Sequence, residues 1–272
     1  MRLLVDKLSF SYSGRPVLEE ISFEVENEMA AVVGPNGSGK TTLLKCLGGM
    51  LNGRGDIWIE IDGGKLNLRR LSKRMIARLV SFLPQDGEER MPLRSLEVVL
   101  IGRYPHKGFG LKPGDEEIEA AMEALRMVKA EHLAMRRFDE LSGGERQKVR
   151  IARALAQQPR LMLLDEPLNN LDLRHQIEVI SLLRRLKSER RLSIILVLHD
   201  LNFASFADKL LMLRGGRLIG SGPPQQLLTP DTIAQLFDVE VDMAEVGGRR
   251  FIIPIAHIVA ECGGDLETSS HS

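Results

Sequence analysis

Continuous apolar stretches at 29–33 (MAAVV), 79–84 (LVSFLP), 161–166 (LMLLDE) and 193–200 (SIILVLHD) each run into polar or glycine residues. Buried parallel strands read this way, with functional groups collected at their C-terminal ends. Elsewhere the pattern alternates. The opening LLVDKLSFSY predicts an edge or antiparallel strand, ISFEVE (21–26) alternates more cleanly, and DIWIEI (56–61) predicts a further strand. Leu43, Leu44, Leu47 and Leu51 recur at helical spacing behind a glycine-rich loop. Between about 87 and 158 strand signals become scarce and Arg- and Glu-rich helical patterns take over, as in DEEIEAAMEALRMV (115–128). This predicts an α/β fold with a helical subdomain inserted between strands of one sheet. Residues 1–240 read as one domain, and 241–272 as a short extension: β-rich VEVDMAEVGGRRFIIPI, then a disordered tail, GGDLETSSHS.

Composition narrows the function classes. The 272 residues fit about two domains or one large α/β domain, and 43% hydrophobic residues can bury a sizeable core. Lys+Arg and Asp+Glu are both 37, so no global charge draws the chain to nucleic acid or anionic lipid. Two basic stretches, KLNLRRLSKRMIAR (65–78) and RRLKSERR (184–191), lack interleaved aromatics and read as solvated helix faces rather than a nucleic-acid surface. The apolar runs are strand-sized, so work at a membrane would need other subunits to span it. Cys46 and Cys262 form no metal-type pair, and MRLLVDKLSF shows no signal peptide; a reducing cytoplasm is expected.

The chemistry concentrates at the strand ends. GPNGSGKT (34–41) fits the P-loop pattern in full, between a strand and a helix. The backbone of Gly34, Pro35, Asn36, Gly37, Ser38 and Gly39 can wrap a β-phosphate, Lys40 can reach β/γ oxygens, and Thr41, followed by Thr42, suits Mg²⁺. In LMLLDE, Asp165 can hold Mg²⁺ through water, and Glu166, pointing elsewhere in an extended chain, can polarise an attacking water. Gln85 and His199 follow strands in the same manner: the amide can contact metal or water, and the imidazole can contact a γ-phosphate. Tyr12 fits adenine stacking or an ordinary edge strand, and Trp58 fits packing. His106, His132, His175, His257 and His271 are assigned no chemistry. A second phosphate device, LSGGERQ (141–147), places Ser142, Gly143 and Gly144 ahead of the helical VRIARALA. Two such devices in one domain raise the question of whose phosphate the second one holds.

The ordered set of Tyr12, GPNGSGKTT, Gln85, LSGGERQ, LLDE, NNLD and His199 resembles the ABC ATPases over about residues 2 to 240. The resemblance implies a P-loop NTPase core with a mostly parallel sheet, an N-terminal antiparallel β subdomain and an inserted helical subdomain, binding ATP and Mg²⁺. It also implies a head-to-tail homodimer in which Ser142, Gly143 and Gly144 bind the γ-phosphate of a partner's ATP and Asp172 couples the two sites. Family members often carry Ser-Ala where this chain has Asn169 and Asn170. VVLIGRYPH (98–106), EPLNNLDLRHQIEVI (166–180) and HDLNFAS (199–205) are similar to the ATPases that import iron siderophores, haem and cobalamin. That implies permease subunits at the cytoplasmic face of a membrane and, indirectly, a substrate-binding protein. Leu93 to His106 would receive a permease helix, and charge reversal at Arg103 is expected to weaken assembly while sparing basal ATPase activity. An exporter ATPase shares every catalytic motif, and a soluble ABC protein acting on DNA or ribosomes is a further alternative; that last class commonly has long insertions or basic arms, which this chain lacks.

Overall fold

The computed structural model describes residues 1–85, 91–106, 112–190, 192–246 and 249–255. In chain order, β1 (Arg2–Tyr12), β2 (Arg15–Glu26) and β3 (Met29–Val33) precede α1 (Lys40–Leu47). Then come β4 (Arg54–Ile61), β5 (Gly64–Asn67), α2 (Lys73–Leu79), β6 (Val80–Leu83), α3 (Ser95–Leu100), α4 (Asp115–Met127) and α5 (Gly143–Ala156). The second half runs β7 (Leu161–Leu164), α6 (Leu173–Arg190), β8 (Ser193–Val197), α7 (Leu201–Ala204), β9 (Lys209–Arg214) and β10 (Arg217–Gly222). It closes with α8 (Pro224–Leu227), α9 (Pro230–Phe237), β11 (Val241–Val246) and β12 (Arg249–Pro254).

The six-stranded sheet has the order β10-β9-β3-β8-β7-β6 and is parallel except for the β9–β10 pair. Its central strands are buried on both faces, as continuous apolar runs require. Met29, Ala31, Met162, Leu164, Ile194 and Leu196 face one core, which also takes in α3 to α6. Ala30, Val32, Leu161, Leu163, Ile195 and Val197 face the other, against α1 and the four-stranded antiparallel sheet β2-β1-β4-β5. Each fully buried Leu in these layers contributes about 2 kcal/mol. The α3–α5 helical layer lies between β6 and β7, where the inserted subdomain was expected.

Two expectations change. The opening strand is antiparallel but central in its sheet rather than at an edge, paired with β2 on one side and β4 on the other. The stretch 65–78 is a strand end, a 3₁₀ turn and then α2, not one helix face. The β-rich stretch after residue 240 forms the β11–β12 hairpin, which packs on the main core. Val241 and Ile252 join the main core, and the Asn202 side chain accepts from the Ile252 amide (2.8 Å) and donates to its carbonyl (3.3 Å). Residues 256–272, with the tail, His257, Cys262 and His271, lie outside the described residues. Cys46 is buried, and burial pushes its thiol up to about 12, beyond the range of a reactive thiolate. Among the described residues no helix is long and apolar enough to cross a membrane.

Candidate functional site

Strand register brings the functional groups to one edge. Leu83 pairs with Leu164, Leu164 with Leu196, and Val32 with Val197. The Asp165 amide donates to the Leu83 carbonyl (2.9 Å), and the Leu198 amide to Val32 (3.1 Å). Gly34, Gln85, Glu166 and His199 therefore leave the sheet together at its C-terminal edge, where α/β folds bind ligands.

The P-loop wraps from β3 into α1. Gly34, Gly37 and Gly39 have φ of 156°, 76° and 101°. A Cβ on Gly34 would stand 2.0 Å from the Leu213 carbonyl oxygen, and on Gly39 2.9 Å from that of Val17. Both backbone angle and space demand glycine there. Lys40 is 6% exposed, and its Nζ donates to the carbonyls of Gly34 (2.8 Å) and Pro35 (2.9 Å). Burial lowers the Lys40 pKa against the opposing pull of Glu166 and Asp165. Ser38 Oγ is buried without a partner among the described residues. A cavity of about 260 Å³ opens above the loop, bounded by Val17, Asn36, Lys40, Thr41, Thr42 and Glu166. A buried cation resting on carbonyls, an unsatisfied hydroxyl and the first amides of a helix all suit an anion in that space.

Asp165 is 2% exposed, and its Oδ1 accepts from Thr41 Oγ1 at 3.1 Å. Burial raises its pKa, the Thr41 bond opposing. A divalent cation fits this pair of oxygen donors and would supply the charge that the buried carboxylate lacks. Glu166 is not extended, contrary to expectation. Its φ is 51°, a left-handed turn costly for a residue with a side chain. The turn sends the carboxylate into a cluster. Oε2 accepts from Gln85 Nε2 (2.6 Å) and from Asn169 Nδ2, and Oε1 lies 2.5 Å from His199 Nε2. The strand exits thus converge on one carboxylate beside the cavity, which can act as a base toward water held there.

Tyr12 is 46% exposed at the end of β1, edge-on to Phe10. It pairs with Arg15 across a turn whose Ser13 and Gly14 both have positive φ. Val17, two residues beyond Arg15, lines the cavity, so the turn stands beside the P-loop.

The LSGGERQ segment opens α5. Ser142 caps α5: its Oγ accepts from the Glu145 amide (3.3 Å) and donates to Glu145 Oε2 (2.8 Å), while its own amide donates to the same oxygen (3.0 Å). The Ser142 amide and hydroxyl hold the Glu145 carboxyl below its ordinary range. Gln147 Nε2 donates to the Pro167 carbonyl (2.7 Å) and Arg150 to Pro84, tying the helix to two strand exits. Ser142 and Gly143 are exposed, yet none of Ser142, Gly143 and Gly144 is among the described residues that line the P-loop cavity. Asp172 accepts from the His175 amide (2.9 Å) and from its ring Nδ1 (2.8 Å), which holds the Asp172 carboxyl below its usual value.

Sequence reasoning missed Val17, Gln147, Arg150, Asn169 and His175. Gln147 closes the LSGGERQ motif, and Asp172 to His175 has the three-residue spacing of a helix cap, so both carried a readable signal. Asn169 had none, because its reach depends on the left-handed Glu166. Arg103 was misread. It is 6% exposed, its Nη1 donates to the Ala156 carbonyl (2.7 Å), and its Nε finds no partner among the described residues. Burial lowers its pKa. Arg103→Glu would set an unpaired carboxylate against a carbonyl, so it should destabilise the isolated chain by about 3 kcal/mol or more. Thermal unfolding of the variant checks this; an unchanged Tm would contradict it.

A profile of the ABC transporter family matches residues 18–169. The chain belongs to the ABC transporter family. It is an ATP-binding, ATP-hydrolysing subunit of that family's kind. The hemin import ATP-binding protein HmuV of Bordetella avium (strain 197N) is 39% identical over 89% of this chain and 94% of its own length. A transporter described as of the metal-chelate ABC type, in an inward-facing conformation, is 30% identical with a TM-score of 0.81, covering 94% of this chain and 98% of its own. A dimeric ATP-binding cassette in a post-hydrolysis state, bound to ADP and Pi, is 27% identical with a TM-score of 0.67, covering 82% and 98%.

Proposed function

We propose that this subunit energises import of a metal chelate, of the iron-siderophore, haem or cobalamin kind, through permease subunits at the cytoplasmic face of a membrane. Residues 1–240 act as the nucleotide-binding domain, with 241–272 as its extension. In this reading two copies pair head to tail with ATP at each joint. The P-loop and Lys40 hold the triphosphate and Tyr12 stacks on the adenine. Thr41, Gln85 and Asp165 would hold Mg²⁺, which supplies positive charge to the phosphate oxygens. Glu166 takes a proton from the attacking water, and His199 orients that carboxylate and contacts the γ-phosphate. Ser142, Gly143 and Gly144 of the other copy close the site, with Asp172 at the joint. ATP binding closes the dimer, hydrolysis reopens it, and the permease alternates access.

The observation that carries the reading is the convergence of Gln85 and His199 on Glu166 beside the Lys40–Thr41–Asp165 cradle, with the signature of the same chain outside that cavity. The likeness to a hemin import protein and a metal-chelate transporter supports the cargo class. The test is purification with the membrane subunits and reconstitution into vesicles. ATP-dependent uptake of iron chelate or haem, lost with Glu166→Gln, is expected. ATP-driven efflux, or no association with membrane subunits, would contradict the reading.

A further inference from the structure

We propose that His175 is a positioning residue for the signature, its ring setting where Gly144 stands and tying that position to Asp172. The proposal rests on the reading that Ser142, Gly143 and Gly144 hold the phosphate of a second copy's ATP.

The N-terminus of α5 and the start of α6 abut. A Cβ on Gly144 would stand 2.1 Å from His175 Cδ2 and 2.6 Å from Nε2, so the outer edge of the imidazole occupies the place of a side chain at that position. Gly143 differs: its Cβ would meet nothing closer than Asn170 O and Leu171 Cδ2, both at 3.8 Å. Gly144 is not among the glycines with positive φ, so its backbone does not demand glycine. The ring does.

The ring is held in turn. Its Nδ1 lies 2.8 Å from Asp172 Oδ1, which also accepts the His175 amide at 2.9 Å. Because a carboxylate only accepts, this bond assigns the proton to Nδ1 and leaves Nε2 toward Gly144. One side chain therefore links the exposed Asp172 loop to the buried Gly144 of the signature. Hydrogen bonds from helix-terminal amides to a phosphate weaken as distance and angle leave the optimum, so the position of the Gly144 amide matters. A planar ring braced at both edges is a spacer suited to holding it. Movement of Asp172 against a second copy is then carried to the glycine amides through the imidazole.

A double-mutant cycle in the Glu166→Gln chain tests this, reading ATP-driven dimerisation by sedimentation and MgATP affinity of the monomer by calorimetry. Gly144→Ala forces the ring aside and should weaken dimerisation about tenfold or more. His175→Ala alone should weaken it about threefold or more, through a loosened signature. With His175→Ala in place, Gly144→Ala should cost less than about threefold further, since the obstacle is gone. MgATP affinity of the His175→Ala monomer should stay unchanged, which separates a displaced signature from a damaged P-loop. An equal cost of Gly144→Ala in both backgrounds would overturn the proposal, as would undiminished dimerisation of the His175→Ala chain. Should Gly144→Ala fail to fold, the His175→Ala arm decides alone. Ser142→Arg is the companion arm. If it leaves dimerisation intact, the signature reading itself has failed, and His175 has nothing to position; if it abolishes dimerisation, the cycle judges His175 alone.

Discussion

Glu166→Gln binds ATP nearly as well as the parent chain and hydrolyses it about 10²- to 10⁴-fold more slowly. The carboxylate lines the P-loop cavity with its side chain 9% exposed, whereas the groups that suit an anion there are Lys40, Ser38 and the first amides of α1. Glutamine keeps the shape and removes the proton acceptor. It also replaces one accepting oxygen with a donor, so one of the bonds from Gln85, Asn169 and His199 is lost; these are local bonds worth about 1 kcal/mol each. Because the closed state can no longer cleave its ligand, the variant accumulates as an ATP-bound dimer. Single-turnover kinetics and sedimentation read both effects. Near-normal turnover would remove Glu166 from the role of base.

Lys40→Ala loses ATP affinity by about 10²-fold or more, since charge-assisted bonds to phosphate contribute about 1.5–3 kcal/mol each and Lys40 can donate more than one. The fold survives. In the resting chain the ammonium is buried against two carbonyls and its pKa is lowered by that burial. A lysine whose native pKa lies below its unfolded value costs stability while it is charged, and the cost fades as pH rises toward the unfolded pKa. Below that pH the nucleotide-free Tm of the alanine variant should therefore hold or rise. A marked fall would make Lys40 a structural residue and contradict its assignment to phosphate.

The sheet was legible because its strands are buried on both faces. Continuous apolar runs such as LMLL and SIILV fit central parallel strands, and the P-loop and helix that follow MAAVV mark the same end of the sheet as the site. Asp165, Gln85 and His199 could be placed from sequence for that reason: each is one or two residues past a strand whose register is set by its apolar pattern. Glu166 was expected in an extended chain past its strand and instead turns left-handed, since that turn depends on tertiary contacts that outweigh local preference. Asn169 escaped because it acts through that turn, and the contact of His175 with Gly144 escaped because it joins two helices far apart in sequence. Arg103 escaped for the opposite reason. A local likeness suggested a charged surface position, whereas packing against the Ala156 carbonyl buries it.

If the signature serves a neighbour's nucleotide, mixing two disabled chains should restore an intact site. One chain carries Lys40→Ala and the other Ser142→Arg, whose side chain obstructs the approach of phosphate to α5. Each homodimer has two damaged sites. In a mixed dimer with shared sites, both lesions fall in one site, and the other pairs the intact Lys40 with the intact Ser142. The mixture should therefore occlude up to one ATP per mixed dimer, where each chain alone occludes none. If each chain used its own signature, every site would keep one lesion. Verified mixed dimers that occlude no ATP would show that LSGGERQ does not hold a partner's phosphate.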